Sequence, residues 1–135
     1  MAIKGFCVVK ADDGHVEPFE YLAAGAITPT IGKALTLSSG LLAVASGTTA
    51  PAYLAACEGA AALTSGTVIP VTRVSKEAIY ETSLSVAGTS LKVGDKVTIA
   101  SAGDQVTATT TSGTAEIVCF PDGDKTSGAR VWVRF

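Results

Sequence analysis

Histidine is almost missing from this chain: among 135 residues only His15 carries an imidazole. Proton shuttling and zinc binding draw on imidazole more than on most side chains, so both chemistries lose their commonest group. His15 itself sits beside a Gly turn with no Cys or Ser partner nearby in sequence, and reads as a surface residue. Charge is scarce as well. Asp, Glu, Lys and Arg make up 16% of the chain and sum to a net charge of -2, against roughly 25% charged residues in an average soluble domain. No basic footprint for nucleic acid is present. Aromatics reach only 6%, few for a pocket built to stack sugars or peptides. No apolar run approaches the ~18 residues of a membrane-spanning helix; the richest, residues 50–63, is broken by Pro51, Glu58 and Gly59. The opening Met-Ala-Ile-Lys-Gly-Phe lacks the apolar stretch and small-residue cleavage site of a signal peptide, so none is expected. Cys7, Cys57 and Cys119 are odd in number and far apart. A disulfide framework or zinc site needs paired or closer spacing, so the three read as free, mostly buried thiols of a protein made in a reducing cytosol.

What remains is apolar and small. Hydrophobic residues make up 47%, with Ala, Thr, Ser and Gly filling most of the rest, a composition that argues against disorder. A chain of this length forms one domain with a real core. With so little charge, a monomer would expose uncharged surface, which favours an assembled state.

Short strand patterns separated by Gly-containing turns run through most of the chain. Residues 3–10 read as a strand ended by the Asp12-Asp13-Gly14 turn. Residues 15–33 show no sustained period, and Pro18, Gly25, Pro29 and Gly32 punctuate them, so an extended arm is expected. Residues 34–37 and 41–44 flank Ser38-Ser39-Gly40 as a hairpin. Further strands are expected at 52–57, 67–74, 79–86, 96–100, 105–110, 115–120 and 129–135, with Pro70 pushing its strand to an edge or bulge. Residues 59–63 have room for one helical turn at most. Alternation places Tyr80, Thr82, Leu84 and Val86 on one face and Glu81, Ser83 and Ser85 on the other. These features imply an all-β fold, a small β-barrel or sandwich of about eight short strands with an extended N-terminal arm. Residues 1–33 form the N-terminal strand and arm, and residues 34–135 the barrel body.

The motifs that suggest chemistry weaken on inspection. Residues 25–34 (GAITPTIGKA) place six residues between glycines where a phosphate-binding loop needs four, and Ala34 stands where a hydroxyl is required. Asp122-Gly-Asp124 is followed by Lys125 and Arg130 rather than by further oxygen ligands, and reads as a solvated hairpin tip. Residues 91–97 (LKVGDKV) are a turn feeding a strand. Glu58, Glu77, Glu81 and Glu116 show no pairing that marks an acid and a base. No catalytic constellation emerges, and neither an enzyme nor a cofactor is expected. On the last strand Arg130, Trp132 and Arg134 share one face, residue types enriched at binding hot spots. The competing reading puts Trp132 in the core with the arginines at its rim.

The order IGKALTLSSGLLAVA, PAYLAACEG, GTVIPVTRV, IYETSLS, LKVGDKVTI and RVWVRF resembles that of the small decoration, or cement, proteins of tailed-phage capsids, over residues 31–135. The resemblance implies a homotrimer on the outer capsid surface, bound to the major capsid protein, with no nucleic-acid or membrane partner. It assigns partner binding to the N-terminal segment through Ile3, Phe6, Phe19 and Tyr21, beside Arg130, Trp132 and Arg134. On that reading, removing residues 2–20 abolishes capsid binding and leaves the barrel folded. Two rivals stand beside it. Another virion part, such as a tail-tube, head-completion or fibre-base protein, differs in symmetry; a small barrel binding a carbohydrate or peptide needs a concave apolar pocket.

Overall fold

The computed structural model describes residues 3–11, 16–109 and 112–135; the Asp12-Asp13-Gly14 turn and His15 lie outside the described residues. Among the described residues the chain is all-β, with no helix and eleven strands. Five of them close into a barrel: β2 (Phe19–Ala24), β3 (Ala34–Ser38), β4 (Leu41–Val44), β5 (Tyr53–Ala55) and β6 (Thr67–Arg73), in the order β2-β4-β3-β5-β6. The other six form an antiparallel sheet: β1 (Cys7–Lys10), β7 (Ile79–Ser83), β8 (Lys96–Ile99), β9 (Val106–Thr107), β10 (Ala115–Cys119) and β11 (Arg130–Arg134), in the order β1-β7-β11-β10-β8-β9. The chain thus starts in the sheet, builds the barrel and returns to the sheet. The layers do not follow the expected boundary between residues 33 and 34.

Local chemistry explains the pieces. Ser38 pairs with Leu41, which leaves Ser39 and Gly40 as a two-residue loop, both at positive φ (51° and 79°). That is the turn whose twist matches the flanking strands of a hairpin. Pro70 does not mark a sheet edge. It sits between β2 and β5, and its missing N–H is harmless because β5 stops at the Ala55–Val71 pair. The neighbouring Ala56 N–H still donates to the Pro70 carbonyl at 3.1 Å.

Alternation along the strands makes two cores. Leu35, Leu42, Tyr53, Ile69 and Val71 point into the barrel and are buried. At one mouth Glu20 accepts two hydrogen bonds from Arg73, each 3.1 Å, and Arg73 lies 5.3 Å above the Tyr53 ring. Ala34 and Leu54 pair directly, on the opposite face from Leu35 and Tyr53, and so point out of the barrel. They meet Tyr80, Val97, Ile99, Val131 and Val133 of the sheet in the second, larger core. The phases read from sequence for β8 and β11 are those observed; in β7 Tyr80, Thr82 and Leu84 are buried as read, but Ser83 on the other face is buried too, covered by the Ile3 segment and Gln105, and Val86 beyond the strand is exposed. Burial holds the Tyr80 phenol above its ordinary pKa although its oxygen accepts the Ser75 N–H at 2.9 Å.

The N-terminal segment is the main correction. Residues 19–24 form β2, paired residue by residue with β6 from Phe19–Thr72 to Ala24–Thr67. Upstream, Phe6 is buried in the second core, its ring 5.2 Å from that of Phe135. Burying such a side chain stabilises by ~1.5–3 kcal/mol. The Ser83 hydroxyl donates to the Ile3 carbonyl and accepts from Gln105 Nε2 at 2.8 Å, while Lys4 Nζ donates to Gln105 Oε1 at 2.6 Å. Gly5 N–H reaches the Asp104 carbonyl at 2.7 Å, and Phe6 N–H the Gly32 carbonyl at 2.8 Å. Gly32 has φ +83°, and a Cβ there would lie 2.7 Å from both Phe6 N and Phe6 O, so only glycine permits this crossing. Residues 3–6 are therefore part of the folded body. Deleting residues 2–20 would remove core, contrary to the expectation that the barrel survives.

Candidate functional site

In a closed barrel every second residue faces outward, and those positions are normally polar. On β2 and β6 none is charged and most are apolar. The outward pairs are Phe19–Thr72, Tyr21–Pro70 and Ala23–Val68, an uncharged wall. Phe19 is 63% exposed, Tyr21 67% and Val68 59%, so this is contiguous apolar surface rather than scattered exposure. The inward positions Leu22, Ala24, Ile69 and Val71 fill the barrel and hold the wall rigid from behind.

Beside the wall the two layers part. Two adjoining cavities of about 390 and 380 Å³ lie between β1 of the sheet and the barrel, and share Val8 and Thr72 in their lining. One reaches Val16, Tyr80 and Arg73, the other Phe19, Ile31 and Leu54. Val16 (83% exposed) and Ile31 (59%) form apolar lips. Each cavity falls within the ~300–1,000 Å³ usual for binding pockets.

The Trp132 face is built differently. Trp132 is half-buried on the outer side of the sheet, opposite Glu81, and its Nε1 donates to Glu81 Oε1 at 3.0 Å. Arg130 donates to the same oxygen at 3.1 Å and grips Asp122 with Nε and Nη2 at 2.9 and 2.7 Å. Trp132 is therefore neither a core residue nor stacked under an arginine, and its donor and those of Arg130 already have partners within the chain. Arg134 is exposed and registers opposite Glu116. The Asp122-Gly-Asp124 tip is a turn: Asp124 takes the Thr126 N–H and hydroxyl, each at 2.9 Å.

The Arg130 hydrogen bonds hold the Asp122 carboxyl below its ordinary pKa, and those of Thr126 do the same for Asp124. A carboxylate depressed in the fold adds stability above its unfolded pKa, and that stability is lost as pH falls through the folded value. Urea midpoints of the wild type should therefore drop between pH 6 and about pH 3, and Asp122→Asn should reduce the drop. An equal drop in both proteins would show that the Arg130 pair contributes nothing.

Of the residues assigned from sequence, Phe19 and Tyr21 lie together on the wall. Arg130, Trp132 and Arg134 lie together on the outer face of the sheet. Phe6 belongs to the core and is not available as a surface anchor, while Ile3 is half-buried with its carbonyl held by the Ser83 hydroxyl. Val8, Ile31 and Val68 were missed. Val68 hides in the TVIPV run, where apolar residues occupy both phases, and β2 hides because its Glu20 occupies an inward phase.

Among the described residues no three His, Cys, Asp or Glu side chains cluster to hold a metal ion. The three thiols are free but not buried as expected: Cys7 is exposed on a sheet edge and Cys57 and Cys119 are only half-buried, and partial burial raises the Cys57 thiol pKa. The Lys33 ammonium of the GAITPTIGKA segment donates to the Thr28 carbonyl at 2.8 Å, closing its own loop. Comparison with family models, with curated proteins and with solved structures finds no match to this chain.

Proposed function

We propose that the protein is a structural virion component that decorates and stabilises the outer surface of a tailed-phage capsid. It docks on the major capsid protein, assembles as a homotrimer, and works without catalysis, cofactor, nucleic acid or membrane. It is made in the cytoplasm of the bacterial host, where its three thiols stay reduced. The observation that carries this reading is the uncharged β2–β6 wall on a closed barrel. A rigid apolar face without charge suits a permanent contact, since desolvating it costs little and its burial is favourable. The identity of the partner rests on the resemblance of the strand order to cement proteins.

The test is the mass of the purified protein by light scattering over a concentration series, followed by co-sedimentation with shells assembled from the major capsid protein of the same virus. A trimer that saturates the shells is the expected result. Shells that stay bare at micromolar protein would sink the proposal. A second reading, a small barrel that captures a peptide, is favoured by the cleft beside β1; it predicts a monomer that binds peptide and leaves shells bare.

A further inference from the structure

The backbone of β1 says what kind of occupant the cleft takes. Strand residues alternate in the side to which their N–H and C=O point. Phe6 N–H points away from β7, because it donates to the Gly32 carbonyl at 2.8 Å. Two residues on, Val8 therefore directs its own N–H and C=O the same way, into the space shared by both cavities. Gly32 thus makes the first step of a ladder along this edge, but the chain then turns off into β3. Outside the β1–β7 pairing, in which Val8 lies opposite Tyr80, Val8 N–H has no hydrogen-bond partner among the described residues, and the Val8 carbonyl receives only a long contact from the Cys7 thiol, 3.8 Å. Cys7, Val8, Val9 and Lys10 are all exposed, and among the described residues β1 has only β7 as a strand neighbour; a bulge between Val8 and Lys10 and the Lys10 charge guard the far end of this edge and leave Val8 as the place where further pairing can start. Across the cleft stand the uncharged Phe19, Ile31, Leu54 and Thr72; Lys4 also lines this cavity, and Glu17, Arg73 and Glu77 line the other.

We propose that the cleft is a strand-addition site: an extended segment of the docking partner, with apolar side chains at alternate positions, pairs with β1 at Val8 and continues the ladder begun by Gly32. Only an extended polypeptide meets both lips at once, with backbone groups for Val8 and alternate apolar side chains for the two cavities. The inference deepens the docking reading above and rests on it for the source of the segment.

The probe is the peptide acetyl-Thr-Val-Thr-Val-Thr-Val-amide, titrated into the full-length protein and followed by amide NMR and hydrogen exchange. Its counterpart N-methylated at alternate residues has the same side chains but cannot complete a ladder. The expected result is saturable shifts at Val8, Phe19, Ile31 and Thr72 with Kd below ~1 mM, Val8 exchange slowed at least about tenfold, and binding at least about tenfold weaker after methylation. Three results overturn the proposal: no binding, shifts elsewhere, or equal binding of both peptides, which would mean simple filling of an apolar cavity. A fourth is a Val8 amide already protected without peptide in a protein whose mass rises with concentration, since a second copy would then cover the edge. Shells decorated by a protein that ignores the peptide would leave the docking reading standing and remove strand addition alone. Peptide binding with bare shells would do the reverse.

Discussion

Phe6→Ala should lower the melting temperature by more than any single surface change. The ring is 3% exposed, stacks edge-on against Phe135 at 5.2 Å, and shares its cluster with Tyr80, whose ring is 5.5 Å from Phe135. Truncating a buried Phe removes its transfer energy and leaves a cavity, together ~3–5 kcal/mol. For a chain of this size that corresponds to a fall of roughly 10–20 °C. Local collapse is limited because the backbone here is held at several points: Gly5 by Asp104, Phe6 by Gly32, and Ile3 by Ser83. Differential scanning calorimetry of the variant measures the effect. A shift of only a few degrees would mean that residues 3–6 contribute little to the core.

The second large effect is on docking rather than on folding. Tyr21→Glu combined with Val68→Glu places two carboxylates on the wall, at outward positions of β2 and β6 where neither side chain enters the barrel core. Stability should change by about 1 kcal/mol or less, the usual range for surface substitutions. Binding should collapse. Buried apolar anchors contribute ~2 kcal/mol or more each at interface centres, and desolvating an unpaired carboxylate adds to the loss, so affinity should fall at least ~30-fold. Co-sedimentation with shells reports the loss, and Arg134→Glu on the outer face of the sheet serves as the contrast, expected to bind normally. Full occupancy by the wall variant, or loss by the Arg134 variant alone, would move the interface to the Trp132 face.

Several strands were readable from sequence because one face of each carries the buried apolar side chains. In β7, β8 and β11 the burial of Tyr80, Val97, Ile99, Val131 and Val133 follows the two-residue period. The hairpin of β3 and β4 was readable for a different reason: Ser39-Gly40 supplies the positive φ that its turn needs. β2 was not, because Phe19 and Tyr21 carry apolar surface outward while Glu20 turns toward the barrel mouth to meet Arg73, inverting the usual pattern. A residue that satisfies its charge with a partner 53 positions away leaves no local trace of doing so. The same holds for Arg130, whose carboxylate partners come from β7 and from the turn before β11.

The sequence by itself determined that the chain is all-β: β-branched runs, Gly turns and two-residue alternation are local properties, and they have no competing helical solution. It also determined that the surface would be poor in charge, since so few charges exist to cover it. Only the tertiary structure decided that the strands divide into a barrel and a sheet, because alternation sets which face a residue points to and not which strand lies beside it. Only the tertiary structure gathered the uncharged surface into one wall and opened the cleft next to it. The wall depends on the pairing of β2 with β6, and the cleft on the point where the chain entering β1 leaves the barrel after the Phe6–Gly32 bond; the first joins residues such as Phe19 and Thr72, the second residues 26 positions apart.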